Sequence, residues 1–295
     1  MSWMGLKKAI NRAGTQVMLK TGHIEQTIDK EFEFEEKRYR MMETNSLKLQ
    51  KQLRSYLESL RLLTNSQINI GEALSSFYGP IPQAAIKSPS SGQHQNGNNH
   101  IITETTTDKE DSIKYSSLSH EYYQILKSLN DECISELEQP YNQTVLNPIA
   151  RFNSYYVEIN EAIKKRAHKQ LDYDAMKNKV RKLIEKPPLN DPNYDLKLNE
   201  AQKDMQESEK VYDNLNDKLK TELPKLINLR VPFFDPSFEA FVKIQLRFFN
   251  ENYHRLNKFQ HKLDARTRED YIKGNLDKRI DDVLNKMREL NITGT

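Results

Sequence analysis

A seven-residue repeat of apolar positions runs through the first third of the chain. Starting at Ile28 and stepping alternately by four and three residues, twelve of the fifteen positions up to Phe77 are apolar. Apolar residues at this spacing lie along one side of an α-helix and pack as in a coiled coil. No proline precedes Pro80, so the pattern predicts one helix of roughly 75 Å. The predicted helix and dimer seam contains Leu49, Leu53, Tyr56, Leu60, Leu63, Ile70 and Leu74.

The rest of the chain predicts two more long helices and therefore an all-α fold. The second helical region runs from about residue 117 to 186, and the third from about 194 to 290. Residues 79–117 between the first two helices are polar and of low complexity, so we expect a largely disordered loop. Helices of this length are too long for a compact single-chain globule, so we expect them to pack against a partner chain. Bends are predicted near Pro140, Pro148, Pro224, Pro232 and Pro236.

The first 24 residues contain neither Asp nor Glu and form an amphipathic pattern. Such a segment is typical of a helix on an anionic membrane. A helix packed on the rest of the protein and a mitochondrial presequence are the other two interpretations, although a presequence favours Arg and Ser. Gly5 and Gly14 each weaken the helix by roughly 1 kcal/mol, so we expect it to fold only on contact with lipid. The apolar stripe consists of Trp3, Leu6, Ile10, Ala13 and Val17.

Composition argues against an enzyme, a metal site and a cofactor. The nine glycines form no phosphate-binding loop, and the seven histidines lack the spacing of a metalloprotease helix. Cys133 is the single cysteine, which excludes an internal disulfide and favours a reducing, cytoplasmic compartment. No stretch approaches the 18 or so apolar residues that a membrane span needs.

Charge is strongly segregated along the chain. Residues 164–186 carry nine Lys or Arg against three acids, whereas residues 102–140 carry nine acids against three Lys. Within residues 164–170 only Ala167 is apolar, so this stretch offers little to a core and favours an anionic partner over a merely solvated face. Nucleic acid is a poor candidate, because the aromatic residues occupy seam positions and no known nucleic-acid motif occurs. Lipid headgroups agree better with the amphipathic terminus.

Four segments together resemble the BAR domain of the amphiphysin/Rvs group (N-BAR). They are residues 51–57 (KQLRSYL), 165–174 (KRAHKQLDYD), 211–216 (VYDNLN) and 222–226 (ELPKL). The resemblance extends over nearly the whole chain except the polar loop. It is strongest to the fungal Rvs proteins that lack an SH3 module, because the chain ends where the third helix ends.

This resemblance implies three long kinked helices in an elongated antiparallel coiled coil, dimerising into a crescent-shaped six-helix bundle. Residues 1–23 would be an N-terminal membrane-inserting helix, residues 24–290 the BAR domain and residues 291–295 a tail. The inserting side chains would be Trp3, Leu6, Ile10 and Val17. Headgroup-binding residues would be Lys7, Lys8 and Arg12 in the helix, Lys164, Lys165, Arg166 and Lys169 on the concave face, and Lys177, Lys179, Arg181 and Lys182 toward the tip.

The expected function is therefore non-enzymatic. A dimeric scaffold would bind, sense or generate curvature of anionic phospholipid membranes during endocytic vesicle formation and scission, with a link to cortical actin. It would form a homodimer or a heterodimer with an SH3-bearing BAR relative and meet the endocytic machinery indirectly. We expect it in the cytoplasm, peripheral at the plasma membrane. The alternative is a coiled-coil adaptor that binds acidic protein partners without remodelling lipid.

Overall fold

The computed structural model describes residues 3–22, 24–79, 107–187 and 191–290, which form helices and turns and contain no strand. The predicted all-α class is therefore confirmed. Two π-helical turns, Leu129–Ile134 and Asn142–Leu146, connect α3 to α4 and α4 to α5. The helices are α1 (Trp3–Lys20), α2 (Lys30–Tyr78), α3 (Thr107–Ser128), α4 (Ser135–Tyr141), α5 (Asn147–Ser154), α6 (Tyr156–Glu185), α7 (Tyr194–Gln260), α8 (Ala265–Ile272) and α9 (Leu276–Arg288).

Two predicted boundaries are wrong. Helix α3 begins at Thr107, so the last part of the predicted loop is helical; residues 80–106 lie outside the described residues. The third region is also not one helix to residue 290, because α7 ends at Gln260. Asp264 caps α8 by accepting a hydrogen bond from the Arg266 amide at 2.9 Å, and Gly274 (φ 67°) separates α8 from α9. A positive φ at this turn favours glycine, which has no Cβ.

The prolines of the second region coincide with irregular helix. Pro140 lies inside α4, immediately before a π-helical turn, and Pro148 lies in the first turn of α5. Helix α7 instead continues through Pro224, Pro232 and Pro236. A proline lacks the amide donor for one helical hydrogen bond, and a π turn is one way in which a helix accommodates it.

The chain divides into two compact units. Unit 1 comprises Met1–Ser55 and Tyr141–Phe241, and unit 2 comprises Tyr56–Pro140 and Val242–Thr295. Each unit has its own apolar core, drawn from several helices. The unit 1 core contains Phe32, Tyr39, Met42, Phe152, Tyr156, Ile163, Leu219, Leu223 and Ile227. The unit 2 core contains Leu60, Cys133, Ile134, Leu137 and Phe248.

The predicted seam of α2 is only partly buried within the chain. Leu60 is buried, and Leu53 and Tyr56 are half-buried. In unit 2, α2 approaches α3 closely at Gly71, where a Cβ would lie 3.0 Å from Leu126 Cδ1 and 3.1 Å from the Tyr123 Cα. The remaining seam residues, Leu49, Leu63, Ile70 and Leu74, are exposed in the single chain.

Candidate membrane-binding surface

Helix α6 buries a stripe that is mostly polar. Beyond Ile163 this stripe consists of Arg166, Gln170, Asp174 and Asn178, spaced by three or four residues; Val180 is also buried. This spacing continues one face of the helix, so the face that packs against the rest of unit 1 runs through the middle of the basic stretch. Side chains that leave water in this way need internal hydrogen bonds.

Arg166 is part of this buried stripe and is only 6% exposed. It donates hydrogen bonds of 2.9 Å to the side-chain oxygens of Asn216, Gln170 and Tyr212. Its guanidinium carbon also lies 3.8 Å from the centroid of the Phe32 ring, a cation–π geometry. The prediction that Arg166 binds lipid headgroups is therefore wrong. The signal that was missed is its spacing from Ile163, which continues the buried stripe.

Four other basic residues of α6 form an exposed arc. Lys164, Lys165, Lys179 and Lys182 are exposed and fall within about 100° around the helix axis; we call them the α6 lysine arc. Lys164 is 3.5 Å from Glu161 and Lys179 is 3.7 Å from Asp204. Among the described residues, no carboxylate pairs within 4.0 Å of Lys165 or Lys182. Half-buried Lys169 lies at the edge of the arc.

Lys177 and Arg181 are exposed on a different side of α6. At about 100° per residue, both point more than 100° away from the centre of the lysine arc. Arg181 donates to Asn178 Oδ1 at 3.0 Å and lies 3.8 Å from Glu185. The predicted headgroup residues of α6 therefore do not share one face.

The apolar stripe of α1 is directed to solvent. Trp3, Ile10 and Val17 are 79%, 62% and 61% exposed. Lys7 is exposed beside them, while the side chains of Leu6 and Lys8 lie outside the described residues. A helix that exposes such a stripe has an amphipathic surface available for an apolar medium.

The opposite side of α1 docks on α6. Arg12 forms a bidentate salt bridge with Asp172, with Nε–Oδ1 and Nη2–Oδ2 distances of 2.8 and 2.7 Å, and this hydrogen bonding raises the pKa of Arg12. Thr15 and Ile24 are buried. One prediction needs correction here, because Arg12 is occupied by Asp172 rather than free for headgroups. That α1 folds on contact with lipid stays a prediction.

The segment between α1 and α2 is also fixed on α6. Asp174 Oδ1 accepts hydrogen bonds from the Thr27 amide at 3.2 Å and the Thr27 hydroxyl at 2.6 Å. The Gln170 side-chain amide donates to the Thr27 carbonyl. Burial of the Asp174 carboxyl raises its pKa, although the hydrogen bonds from Thr27 act in the opposite direction. The start of α2 is therefore positioned by the polar stripe of α6.

Asp29 caps the start of α2. Its Oδ1 accepts hydrogen bonds of 3.0 Å from the amides of Glu31 and Phe32, as an N-cap side chain does. Its Oδ2 accepts from Asn216 at 2.6 Å and pairs with Lys220 at 3.3 Å. Burial by itself raises the pKa of Asp29, but the hydrogen bonds from Asn216, the Phe32 amide and Lys220 outweigh it and lower the pKa to about 2.

Sites for other chemistry are not found in the described residues. No group of three or more His, Cys, Asp or Glu side chains there is arranged to hold a metal ion. No described helix is both long and apolar enough to cross a bilayer. Cys133 is buried, and burial raises the pKa of its thiol, so it is a poor nucleophile.

An all-helical fold with an exposed lysine arc on α6 and an exposed apolar stripe on α1 is typical of one class, the peripheral membrane-binding proteins. The BAR-domain family model matches residues 6–265. The chain is 58% identical to the RVS161-like protein RVS162 of Candida albicans, over 99% of each chain. It is 43% identical to Regulator of cytoskeleton and endocytosis RVS161 of that organism, over 99% of this chain and 98% of that protein. The Drosophila amphiphysin BAR domain matches with a TM-score of 0.54 at 18% identity, covering 81% of this chain and 94% of that chain.

This chain belongs to the BAR-domain family. The predicted all-α fold class and the predicted family are therefore confirmed. The family supports the predicted class of function, the sensing or generation of membrane curvature. Proteins of this family are structural scaffolds that dimerise and bind membranes peripherally.

Proposed function

We propose that the α6 lysine arc and the apolar stripe of α1 together carry membrane binding. The supporting observation is that α1 docks on α6 through Arg12 and Asp172. The arc on α6 and the stripe on α1 therefore belong to one surface region of unit 1. Lysines attract anionic headgroups, and the exposed stripe inserts among the acyl chains. The chain then acts as a scaffold rather than an enzyme.

The expected binding free energies indicate that neither the lysine arc nor the apolar stripe is sufficient alone for membrane binding. Each lysine near an anionic leaflet contributes about 1 kcal/mol. A fully buried large apolar side chain contributes about 1.5–3 kcal/mol, and Trp3, Ile10 and Val17 would be only partly buried at the interface. The sum supports weak binding by one chain, and two copies joined in a dimer bind more tightly through their effective concentration.

Charge reversal within α6 tests the assignment. The double variant Lys164→Glu, Lys165→Glu is expected to lose most sedimentation with anionic vesicles. The matched control, Lys177→Glu, Arg181→Glu, makes the same change in charge on the other side of the helix and is expected to retain most binding. Equal losses would show that total charge, not the arc, governs binding. Circular dichroism of both variants checks that helicity is kept.

We also propose that unit 2 forms the dimer. Leu63, Ile70, Leu74 and Phe77 are exposed along one seam of α2. An apolar groove of about 680 Å³ lies nearby in the same unit, between α2, α3 and α7, and is lined by Leu74, Tyr78, Tyr122, Tyr253 and Leu256 among others. Exposed apolar surface of this extent is typical of an interface.

The partner in this dimer is a second copy or an SH3-bearing BAR relative. The measurement that decides is the mass of the purified chain by light scattering, alone and after co-expression with such a relative. A monomer under both conditions would refute the dimer proposal. A stable mixed dimer with no homodimer would identify the relative as the natural partner.

The site of action that we propose is the cytoplasmic face of the plasma membrane at endocytic sites rich in cortical actin. The name of the relative that is 43% identical, Regulator of cytoskeleton and endocytosis RVS161, supports it. A fluorescently tagged chain is expected at cortical patches that overlap actin. If the chain captures acidic proteins but ignores anionic vesicles, the adaptor function replaces the membrane function; preference for nucleic acid over vesicles would overturn both.

A further inference from the structure

We infer that the Arg12–Asp172 salt bridge is a clamp that holds α1 as a formed, correctly oriented helix before the protein meets a membrane. This inference rests on the proposed function and adds positioning residues to it. Arg12 and Asp172 act through α1: they keep its apolar stripe directed away from α6. Neither residue is itself a lipid contact in this arrangement.

The docking side and the apolar side of α1 are opposite. Taking Ile10 as reference at about 100° per residue, Trp3 and Val17 lie within about 20° of it. On the same wheel Arg12, Thr15 and Leu19 lie about 140–200° away. Arg12 is in the salt bridge, Thr15 is buried and Leu19 is half-buried. Docking through this side leaves the stripe facing solvent.

A second attachment lies just beyond the end of α1. Ile24 is buried and, with Thr15, Ala175 and Leu183, lines a cavity of about 360 Å³ between α1 and α6. Thr27 is held by Asp174 and Gln170. The part of α1 from Thr15 onward is thus held by this cavity and by its connection to α2, whereas Arg12 holds the preceding part through its salt bridge. Loss of the salt bridge therefore releases the part of α1 that precedes this anchor.

The exposed stripe distinguishes a positioning clamp from an autoinhibitory one. An inhibited helix would bury its apolar side chains against the protein and would have to leave before it could insert. Here those side chains are already exposed, so α1 is able to enter the interface while Arg12 stays paired. Ordering a helix in advance removes part of the entropy loss of binding.

Hydrogen exchange of lipid-free protein tests the clamp directly. The single variants Arg12→Asp and Asp172→Arg are each expected to speed exchange of the α1 amides by about tenfold, because a bidentate charged pair is lost. The double variant Arg12→Asp, Asp172→Arg restores the pair with unchanged net charge and is expected to return exchange to within about threefold of the original. Unchanged exchange in both single variants would overturn the clamp.

Vesicle binding then tests whether the clamp matters for function. Asp172→Arg adds two positive charges, so charge alone predicts tighter binding to anionic vesicles. The clamp predicts weaker insertion of Trp3, the single tryptophan of the chain, seen as a smaller fluorescence blue shift at equal bound protein. The matched control is Glu185→Arg, which makes the same charge change on α6 at a residue that pairs with Arg181. If both variants insert Trp3 equally, pre-orientation does not contribute to insertion.

Gly14→Ala supplies a rescue. The space around a Cβ at Gly14 is open, and alanine strengthens a helix relative to glycine. Added to Asp172→Arg, it is expected to slow α1 exchange and restore part of the Trp3 shift. No change in either readout would argue against helix order as the defect. Failure of the unaltered protein to bind anionic vesicles would refute the proposed function, while the lipid-free exchange result would still judge the clamp.

Discussion

The two ends of α2 carry one heptad pattern but differ in what covers it. In unit 1, Phe32 is 1% exposed and packs in a core built from α2, α5, α6 and α7. In unit 2, Phe77 at the other end of the same helix is 83% exposed, although it continues the same seam. Both ends are regular helix.

This difference shows that the heptad pattern of α2 does not identify what packs against its apolar side. A seven-residue repeat determines which side of a helix is apolar. It does not determine whether that side is covered by the same chain or by another one. In unit 1 the bulky residues of α6 and α7 cover it. In unit 2 Leu63, Ile70 and Phe77 stay exposed, although α3 lies alongside the end of α2, where the Ser116 hydroxyl donates to the Gly79 carbonyl. The exposed half is therefore where we place the dimer.

The largest expected effect comes from the covered half. Phe32→Ala is expected to lower the free energy of unfolding by about 3–5 kcal/mol, because it leaves a cavity in the unit 1 core and removes the ring beneath Arg166. Urea unfolding followed by circular dichroism measures it. The control is Phe34→Ala, at an exposed residue two positions along the chain. It should change the free energy of unfolding by no more than about 0.5 kcal/mol. Equal losses would contradict the core assignment.

The exposed half is expected to affect assembly instead of folding. Ile70→Ala with Leu74→Ala should weaken the dimer by about 2–3 kcal/mol, on the order of a hundredfold in Kd, with helicity unchanged. Sedimentation equilibrium measures the Kd. Leu196→Ala with Leu229→Ala makes a comparable change at exposed sites of unit 1 and should leave the dimer intact. Dissociation by the control pair would move the interface to unit 1.

Asp29, which caps α2 in the covered half, makes a pH-dependent contribution to the free energy of unfolding. The pKa of Asp29 is lowered to about 2, so the folded state binds fewer protons than the unfolded state between about pH 4 and pH 2. Its contribution, about 2 kcal/mol, is present above pH 4 and is lost as the pH falls through 2. Asp29→Asn retains a good N-cap and should unfold more easily at pH 7. The gap between the two proteins is expected to narrow toward pH 2; a constant gap would contradict the role of the charge.

The smallest expected effect is that of replacing Leu49, an exposed seam residue of unit 1. Leu49 is a seam position by its spacing, yet it is exposed. Leu49→Ala should therefore change the free energy of unfolding by about 0.5 kcal/mol or less. A loss of 2 kcal/mol or more in chemical denaturation would mean that the dimer also covers the seam in unit 1.

Much of the fold could be predicted because helix periodicity is a local property. The bounds of α2 and the break after residue 186 agree with the pattern and with the prolines. The early start of α3 was missed because residues 107–117 have no apolar stripe, and the α8–α9 break because the stripe of α9 continues the same spacing. A pattern of that kind predicts which side of a helix is apolar, but it does not predict the turn at Gly274.

The site was predictable as a region but not residue by residue. Consecutive basic residues suggest one exposed surface, yet Arg166 faces the core while Lys165 next to it faces solvent. Arg12 was misassigned for a related reason, since its partner Asp172 is 160 residues away. Such pairs depend on tertiary contacts, which single-sequence spacing does not contain.

Because Arg166 is buried and Lys165 is not, the two neighbouring positions are expected to accept different substitutions in relatives. At Lys165 a lysine and an arginine are interchangeable, because a solvated cation needs only charge. At Arg166 one planar guanidinium satisfies three oxygen acceptors and stacks on a ring, and an ammonium group cannot reproduce that fork. Among relatives that keep Asn216, Tyr212 and Phe32, position 165 should therefore drift between Lys and Arg while position 166 remains Arg.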